Sequence, residues 1–292
     1  MTTSPSNLQQ KLSRGEFVIT AEVCPPKGCD PSLFIHHSRE LAKIIDAINV
    51  TDNQGANMRI SPLAAAFLLL NEGVEPLLQL TCRDRNRLAL QSELLGAAAL
   101  GIKNILALTG DHISFGDHKN GKSVFDLDSV QLLEAIKCLE NGYDLSGKSL
   151  EGTPLFFAGA AAAPEADPFE LTLFKLRKKA TAGARFFQTQ AVFQPEKLAR
   201  FSAAVKPLDV KVISGILLLK SAAMARFINK NIPGLRVPDE LITELEQSTN
   251  PAETGVEIAC RLARAVKPYS AGVHIMAMDR EEVIPEIVNA LK

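Results

Sequence analysis

"RFFQTQAVFQPEKLARFSAAVKPLDVKVISGILLL" fills residues 185–219 and holds both periods that decide the fold. The runs 185–192 and 211–219 are short, apolar and rich in Phe, Val and Ile, as strands buried on both faces are. Between them, residues 195–205 place apolar side chains at three- and four-residue spacing, which predicts a helix. Strand, helix, strand at this length is the unit of a parallel sheet. The same alternation runs along the whole chain. It predicts further strands at 17–23, 47–52, 76–82, 104–110, 154–162 and 272–278, eight in all, and further helices over 86–100, 129–139 and 168–182. Asp84 and Asp128 precede two of these helices as N-caps would, and Gly183 follows one as a C-terminal glycine would. Eight strand–helix units predict an α/β fold, a (β/α)8 TIM barrel forming one domain over residues 1–292. Residues 231–267 are an elaboration, with two extra helices before strand eight. An open doubly wound sheet is the alternative, but no Gly-x-Gly-x-x-Gly follows any strand.

The bulk numbers agree with a barrel. The chain has 292 residues, 46% hydrophobic and 22% charged, enough to bury a large core. A net charge of -1 gives no general attraction to nucleic acid or acidic membranes. No apolar run reaches the ~18 residues of a membrane span. The first stretch, MTTSPSNLQQKLSRGEF, is polar and lacks the apolar centre of a secretion signal. Five scattered cysteines without a Cys-x-x-Cys pair fit reduced thiols, so a cytoplasmic protein is expected. Cys24 and Cys29 raise the question of zinc, yet no second ligand pair follows them.

Barrel active sites lie at the C-terminal strand ends. Here these ends carry Glu22, then Thr51-Asp52-Asn53, Thr81-Cys82-Arg83-Asp84, Thr109-Gly110-Asp111-His112, the small residues 158–163, Gln188 with Gln190, Lys220, and Asp279-Arg280. Loops are polar in any case, so a turn or cap is the plain alternative for each. For Glu22 that alternative is weaker. A carboxyl inside an apolar run tends toward a raised pKa, the property of a general acid. Asp111 is the second candidate carboxylate. The loop from His112 to His118 contains metal-ligand residue types without fixed helical spacing, so no metal site is expected. Arg177-Lys178-Lys179 reads first as a solvated helix face.

The motifs at these ends together resemble the flavin-dependent methylenetetrahydrofolate reductases. "AEVCPPKG" is similar to that family's Glu-x-x-Pro-Pro, "NVTDNQGAN" to its threonine with Gly-Ala-Asn, and "LQLTCRDRN" to its Leu-Thr-Cys-x-Asp turn. "NILALTGDH" resembles its strand ending in Gly-Asp, "LRKKATAGARFFQTQAVF" its Lys-rich Ala-Gly-Ala…Thr-Gln segment, and "SGILLL" its Gly-Ile-Leu. The likeness runs from about residue 15 to 285. It implies reduction of 5,10-methylenetetrahydrofolate to 5-methyltetrahydrofolate in one-carbon metabolism, with Glu22 as general acid and Asp111 between flavin and folate. Gln190, Gln79 and Arg280 would meet the folate. Thr51, Thr109, Gly110, His112, Phe125, Asp128, Ala158, Gly159 and Lys179 would hold a flavin, with FAD ahead of FMN. There are departures. Gln79 replaces a histidine, Thr109 an arginine, Ala222 an aromatic and Met276 a tyrosine; Gly159 and Ala163 replace a tyrosine and a histidine. They imply an oligomer taking electrons from NAD(P)H or from a partner redox subunit, as in the subtype beside a zinc-bearing chain or homocysteine methyltransferase module. Other readings are a non-catalytic folate- or flavin-binding subunit and a different flavin barrel oxidoreductase.

Overall fold

The computed structural model describes residues 4–232 and 234–292. Residues 1–3, which open the polar N-terminal stretch, and residue 233, inside the elaboration, lie outside the described residues. The strands are β1 Val18–Val23, β2 Ala47–Val50, β3 Pro76–Thr81, β4 Asn104–Leu108, β5 Phe157–Ala162, β6 Phe186–Ala191, β7 Lys211–Leu217 and β8 Gly272–Met276. They pair in parallel in sequence order, and β1 pairs with β8, so the sheet closes into the expected barrel. Each strand is shorter than the apolar run that announces it. β2 stops at Val50 and β4 at Leu108, because Thr51-Asp52 and Thr109-Gly110 leave the ladder to build the rim.

The helices are α1 Asn7–Ser13, α2 Ser32–Leu41, α3 Pro62–Asn71, α4 Arg87–Ala99, α5 Ser129–Glu140, α6 Phe169–Thr181, α7 Pro195–Val205, α8 Ala222–Asn231, α9 Asp239–Gln247, α10 Pro251–Val266 and α11 Ile284–Ala290. Three helices separate β7 from β8. α10 packs against β7 and α7 as a barrel helix does, so α8 and α9, packed on each other, form the addition. Asp128 caps α5 in a reciprocal box with Gln131. Gly183 follows α6 with φ +118°, a conformation that favours glycine. Asp84 does not cap α4. That helix starts at Arg87, and Asn86 accepts from the Ala89 N–H at 3.0 Å, while Asp84 binds Arg83. Among the described residues, no helix is long and apolar enough to cross a membrane.

The barrel interior changes character from bottom to top. Val18, Leu77, Leu106, Phe157, Phe186 and Ile213 fill the bottom. Leu8 and Leu12 of α1 complete that cluster and are 0% and 2% exposed. Burying two leucines stabilises the closed bottom by roughly 1.5–3 kcal/mol each. The Glu75 carboxylate holds α1 in place, accepting from Asn7 N–H and Leu8 N–H at 2.8 Å each. The next layer is polar and partly paired within itself. Thr20 Oγ1 lies 3.0 Å from His274 Nδ1, and Asn49 Nδ2 donates to Gln188 Oε1 at 2.8 Å. Above it the barrel opens.

Candidate active site

The rim is built by strands whose inward positions become polar at their ends. On β1 the alternation that buries Val18 and Thr20 brings Glu22 to the mouth, where its side chain is 10% exposed. Gln54 Nε2 donates to Glu22 Oε1 at 2.6 Å, and His274 Nε2 stands 3.9 Å from Glu22 Oε2. The expected isolated carboxyl in an apolar wall is thus a carboxyl between an amide and an imidazole.

Beside it lies a cavity of about 320 Å³, within the size range of cofactor sites. The expected residues Gln79, Thr109, Gly110, Asp111, Lys179 and Gln190 all line it. Gly110 turns the chain at φ +91°, and a Cβ there would lie 3.0 Å from the Thr81 Cβ, so the strand end packs tightly as it delivers Asp111. Thr109 Oγ1 accepts from the Ser129 N–H at the start of α5. Lys179 reaches in from α6 and donates to the Ala161 carbonyl at 2.7 Å. Burial pushes its pKa down to about 8, against the pull of the Asp128 carboxylate. Lys179 is therefore no solvated charge, unlike exposed Arg177 and Lys178 beside it.

The other expected residues sit around the cavity rather than in its lining. Thr51 is buried just beyond β2. Asp128 caps α5. His112 turns aside, accepts from Ser114 N–H and stacks on Phe125 with ring centroids 6.4 Å apart. Arg280 pairs with Glu282 at 2.7 Å beyond β8. Ala158 faces the helices in the outer core, and it is Ala161 that lines the cavity. Gly159 does point into the barrel. However, a Cβ there would lie 2.4 Å from the Phe186 ring, so its missing side chain makes room for Phe186. The rest of the strand-four loop is tied down at Asp117, which pairs with Lys27 and His118 and accepts from Met58 N–H. The Lys27 ammonium, with a hydrogen bond to the His118 ring, holds the Asp117 carboxyl well below the usual carboxylate range. Among the described residues, no group of three or more His, Cys, Asp or Glu could hold a metal ion.

Several residues at these strand ends have partners that the sequence did not foretell. Arg83 is 1% exposed and forks onto Asp84 at 2.8 and 2.7 Å, with a third bond to the Asn53 carbonyl. Arg85 pairs with Asp52, whose Oδ2 also accepts from Thr81 N–H and hydroxyl. These pairs brace the ends of β2 and β3 at the cavity wall. Their signal was charge directly after an apolar strand, where a residue must find a partner or leave the core. Gln54 and Ser129 also line the cavity.

A planar, hydrogen-bonding ring with an anionic tail fits this lining. Among the described residues, Gln190 Oε1 is buried without a hydrogen-bond partner, and the Lys179 ammonium has no counter-charge in direct contact. Residues 7–292 match the family model described as methylenetetrahydrofolate reductase. A Caenorhabditis elegans protein named "Probable methylenetetrahydrofolate reductase (NADPH)" is 26% identical over 236 residues, which are 78% of this chain and 34% of that protein. The chain thus spans about a third of that relative's length. The 5,10-methylenetetrahydrofolate reductase of Salmonella typhimurium is 27% identical over 296 residues, covering 97% of this chain and 94% of that one. Among solved structures, a Clostridium thermocellum protein described as binding two copies of 5-methyl-5,6,7,8-tetrahydrofolic acid shares the fold, with TM-score 0.66, 14% identity and 98% of each chain covered. With the family model spanning nearly every residue of the barrel and its rim, the chain belongs to the methylenetetrahydrofolate reductase family.

Proposed function

We propose that the chain reduces 5,10-methylenetetrahydrofolate to 5-methyltetrahydrofolate with a bound flavin. The observation that carries this is the convergence of Glu22 and Asp111 on one barrel mouth, in a chain of this family. The flavin, once reduced, supplies the hydride. Lys179, Thr109 and Thr51 are the groups that would hold it, with FAD placed ahead of FMN on the resemblance alone. Glu22 carries the proton that N10 of the folate needs when the methylene bridge opens. Asp111 sets its charge opposite the cation this opening creates. At ~4 Å and an effective dielectric of ~20, such a charge contributes about 4 kcal/mol, a large rate factor if realised in the transition state. Gln190 and Gln79 offer amides to the pterin edge, and Arg280 waits at the rim for the folate's outer part.

For the electron donor, Ala222 and Met276 leave the mouth without the aromatic that a nicotinamide stacks on. That supports delivery by a partner redox subunit, including a zinc-bearing one, over direct use of NAD(P)H. The free cysteines fit a reducing compartment such as the cytoplasm. The test is direct. The purified chain, loaded with FAD or FMN and reduced, should regain flavin absorbance when methylenetetrahydrofolate is added. A chain that takes up neither flavin, or whose reduced flavin ignores the folate, would overturn the proposal.

A further inference from the structure

Gln54 stands in a turn that the chain holds against its own preferences. Asn53, Gly55 and Ala56 have φ of 47°, 60° and 61°, the left-handed region that favours glycine. For Ala56 this is strained, and strained turns persist where their surroundings over-determine them. The surroundings here do so. Asn53 accepts from Arg59 N–H through its side chain and from Arg83 through its carbonyl. From the other side the strand-four loop presses in at Gly116, where a Cβ would lie 1.7 Å from the Ala56 carbonyl oxygen.

The product of this turn is one amide placed between two groups. Gln54 Nε2 donates to Glu22 Oε1 at 2.6 Å, and Gln54 Oε1 accepts from the Cys24 thiol at 2.7 Å. An amide can be flipped end for end, and the flipped form would set its oxygen against the carboxylate. The thiol decides between the two. Burial, with Glu22 nearby, pushes the Cys24 pKa up to about 12 against a hydrogen bond with Thr51, so Cys24 stays a thiol, and its proton lies within reach of the amide oxygen. The Nε2 donor is then left for Glu22.

We propose that Gln54 is a positioning residue that fixes the Glu22 carboxyl, and that Cys24 sets the orientation of the Gln54 amide. This rests on Glu22 being the proton donor to folate. Gln54 need not touch the reacting atoms. It holds one carboxyl oxygen so that the other faces the substrate.

The experiment is stopped-flow reoxidation of the flavin-loaded, dithionite-reduced full chain by methylenetetrahydrofolate, over a range of folate concentrations. Q54M keeps the length and loses both bonds. Its limiting rate should fall about tenfold, the worth of a charge-assisted hydrogen bond, with the folate dissociation constant within about twofold. Q54N, which keeps the amide but falls one methylene short, should slow alike and stands in if Q54M does not hold flavin. C24A frees the amide to flip and should slow the limiting rate about threefold; C24S, whose hydroxyl also donates, should return most of that loss. A Q54M limiting rate near wild type, an effect confined to folate affinity, or C24S as slow as C24A would overturn the proposal. E22Q separates the two claims. If E22Q is slow and Q54M is not, only the positioning role fails; if E22Q is itself unimpaired, the acid assignment fails.

Discussion

With Lys179 as the proposed flavin contact, flavin binding should depend on pH, with a predictable sign. Its pKa in the free protein is depressed to about 8, below the ~10.4 of an unhindered lysine, because burial penalises the ammonium. The free protein therefore sheds this proton between pH 8 and ~10.4, where the unfolded chain still keeps it. Through this group alone, stability of the flavin-free fold rises with pH across that window. Binding of an anionic flavin runs the other way. A phosphate near the ammonium favours its charged form, and at ~4 Å and an effective dielectric of ~20 the attraction is about 4 kcal/mol, enough to keep it charged through the alkaline range. The charged fraction of the free protein falls from about nine-tenths at pH 7 to about one-tenth at pH 9, so FMN or FAD should bind roughly tenfold more weakly at pH 9. Flavin fluorescence titrations at pH 7, 8 and 9 read this directly. Riboflavin, which lacks the phosphate, should show a flatter profile. Lys179→Arg should bind with little pH dependence, since a guanidinium stays charged. Lys179→Met should bind weakly at every pH. A Lys179→Met slope parallel to wild type for FMN and FAD would refute the reasoning.

Four further outcomes are expected. Glu22→Gln should keep flavin and its reduction by a viologen dye but lose nearly all folate-driven reoxidation; retention of that step in rapid-mixing traces would remove Glu22 as the acid. Asp111→Asn should lower both folate affinity and the reoxidation rate, and unchanged values would leave Asp111 a loop residue. Gly159→Val should destabilise the fold by about 1–3 kcal/mol, because the new side chain meets the Phe186 ring; an unchanged denaturation midpoint would show that the ring moves freely. The isolated chain should oxidise NADH poorly and reduced viologens well, and brisk NADH-driven folate reduction without a partner would contradict the reading of Ala222 and Met276.

What the sequence disclosed, and what it hid, divides along physical lines. The strands were readable because each is covered on both sides and leaves a short, mostly apolar run. Glu22 and Asp111 were readable as polar residues at the ends of such runs. Strand five misled because "FAGAAA" has no alternation, so nothing told the inward Ala161 from the outward Ala158. Gly159 could not be interpreted without Phe186, its neighbour only through β5–β6 pairing. α1 hid within a polar segment, because just two leucines do its sealing and their contacts come from many strands. Gln54 depends on a left-handed turn held by the strand-four loop, which no local pattern spells out.

Among the described residues, the sealed bottom leaves the barrel open at its mouth alone. Thr20, His274 and Glu22 stand in a polar column, 0%, 1% and 10% exposed, above the apolar floor closed by α1. A folate lying across the mouth would cork that column, and no lower passage would refill it. Glu22 would then recover its proton from solvent only after product leaves, so recharging of the acid and product departure become one event. Deuterium oxide added only after the folate has bound should accordingly leave the first turnover at its rate in water, with any solvent isotope effect beginning at the second.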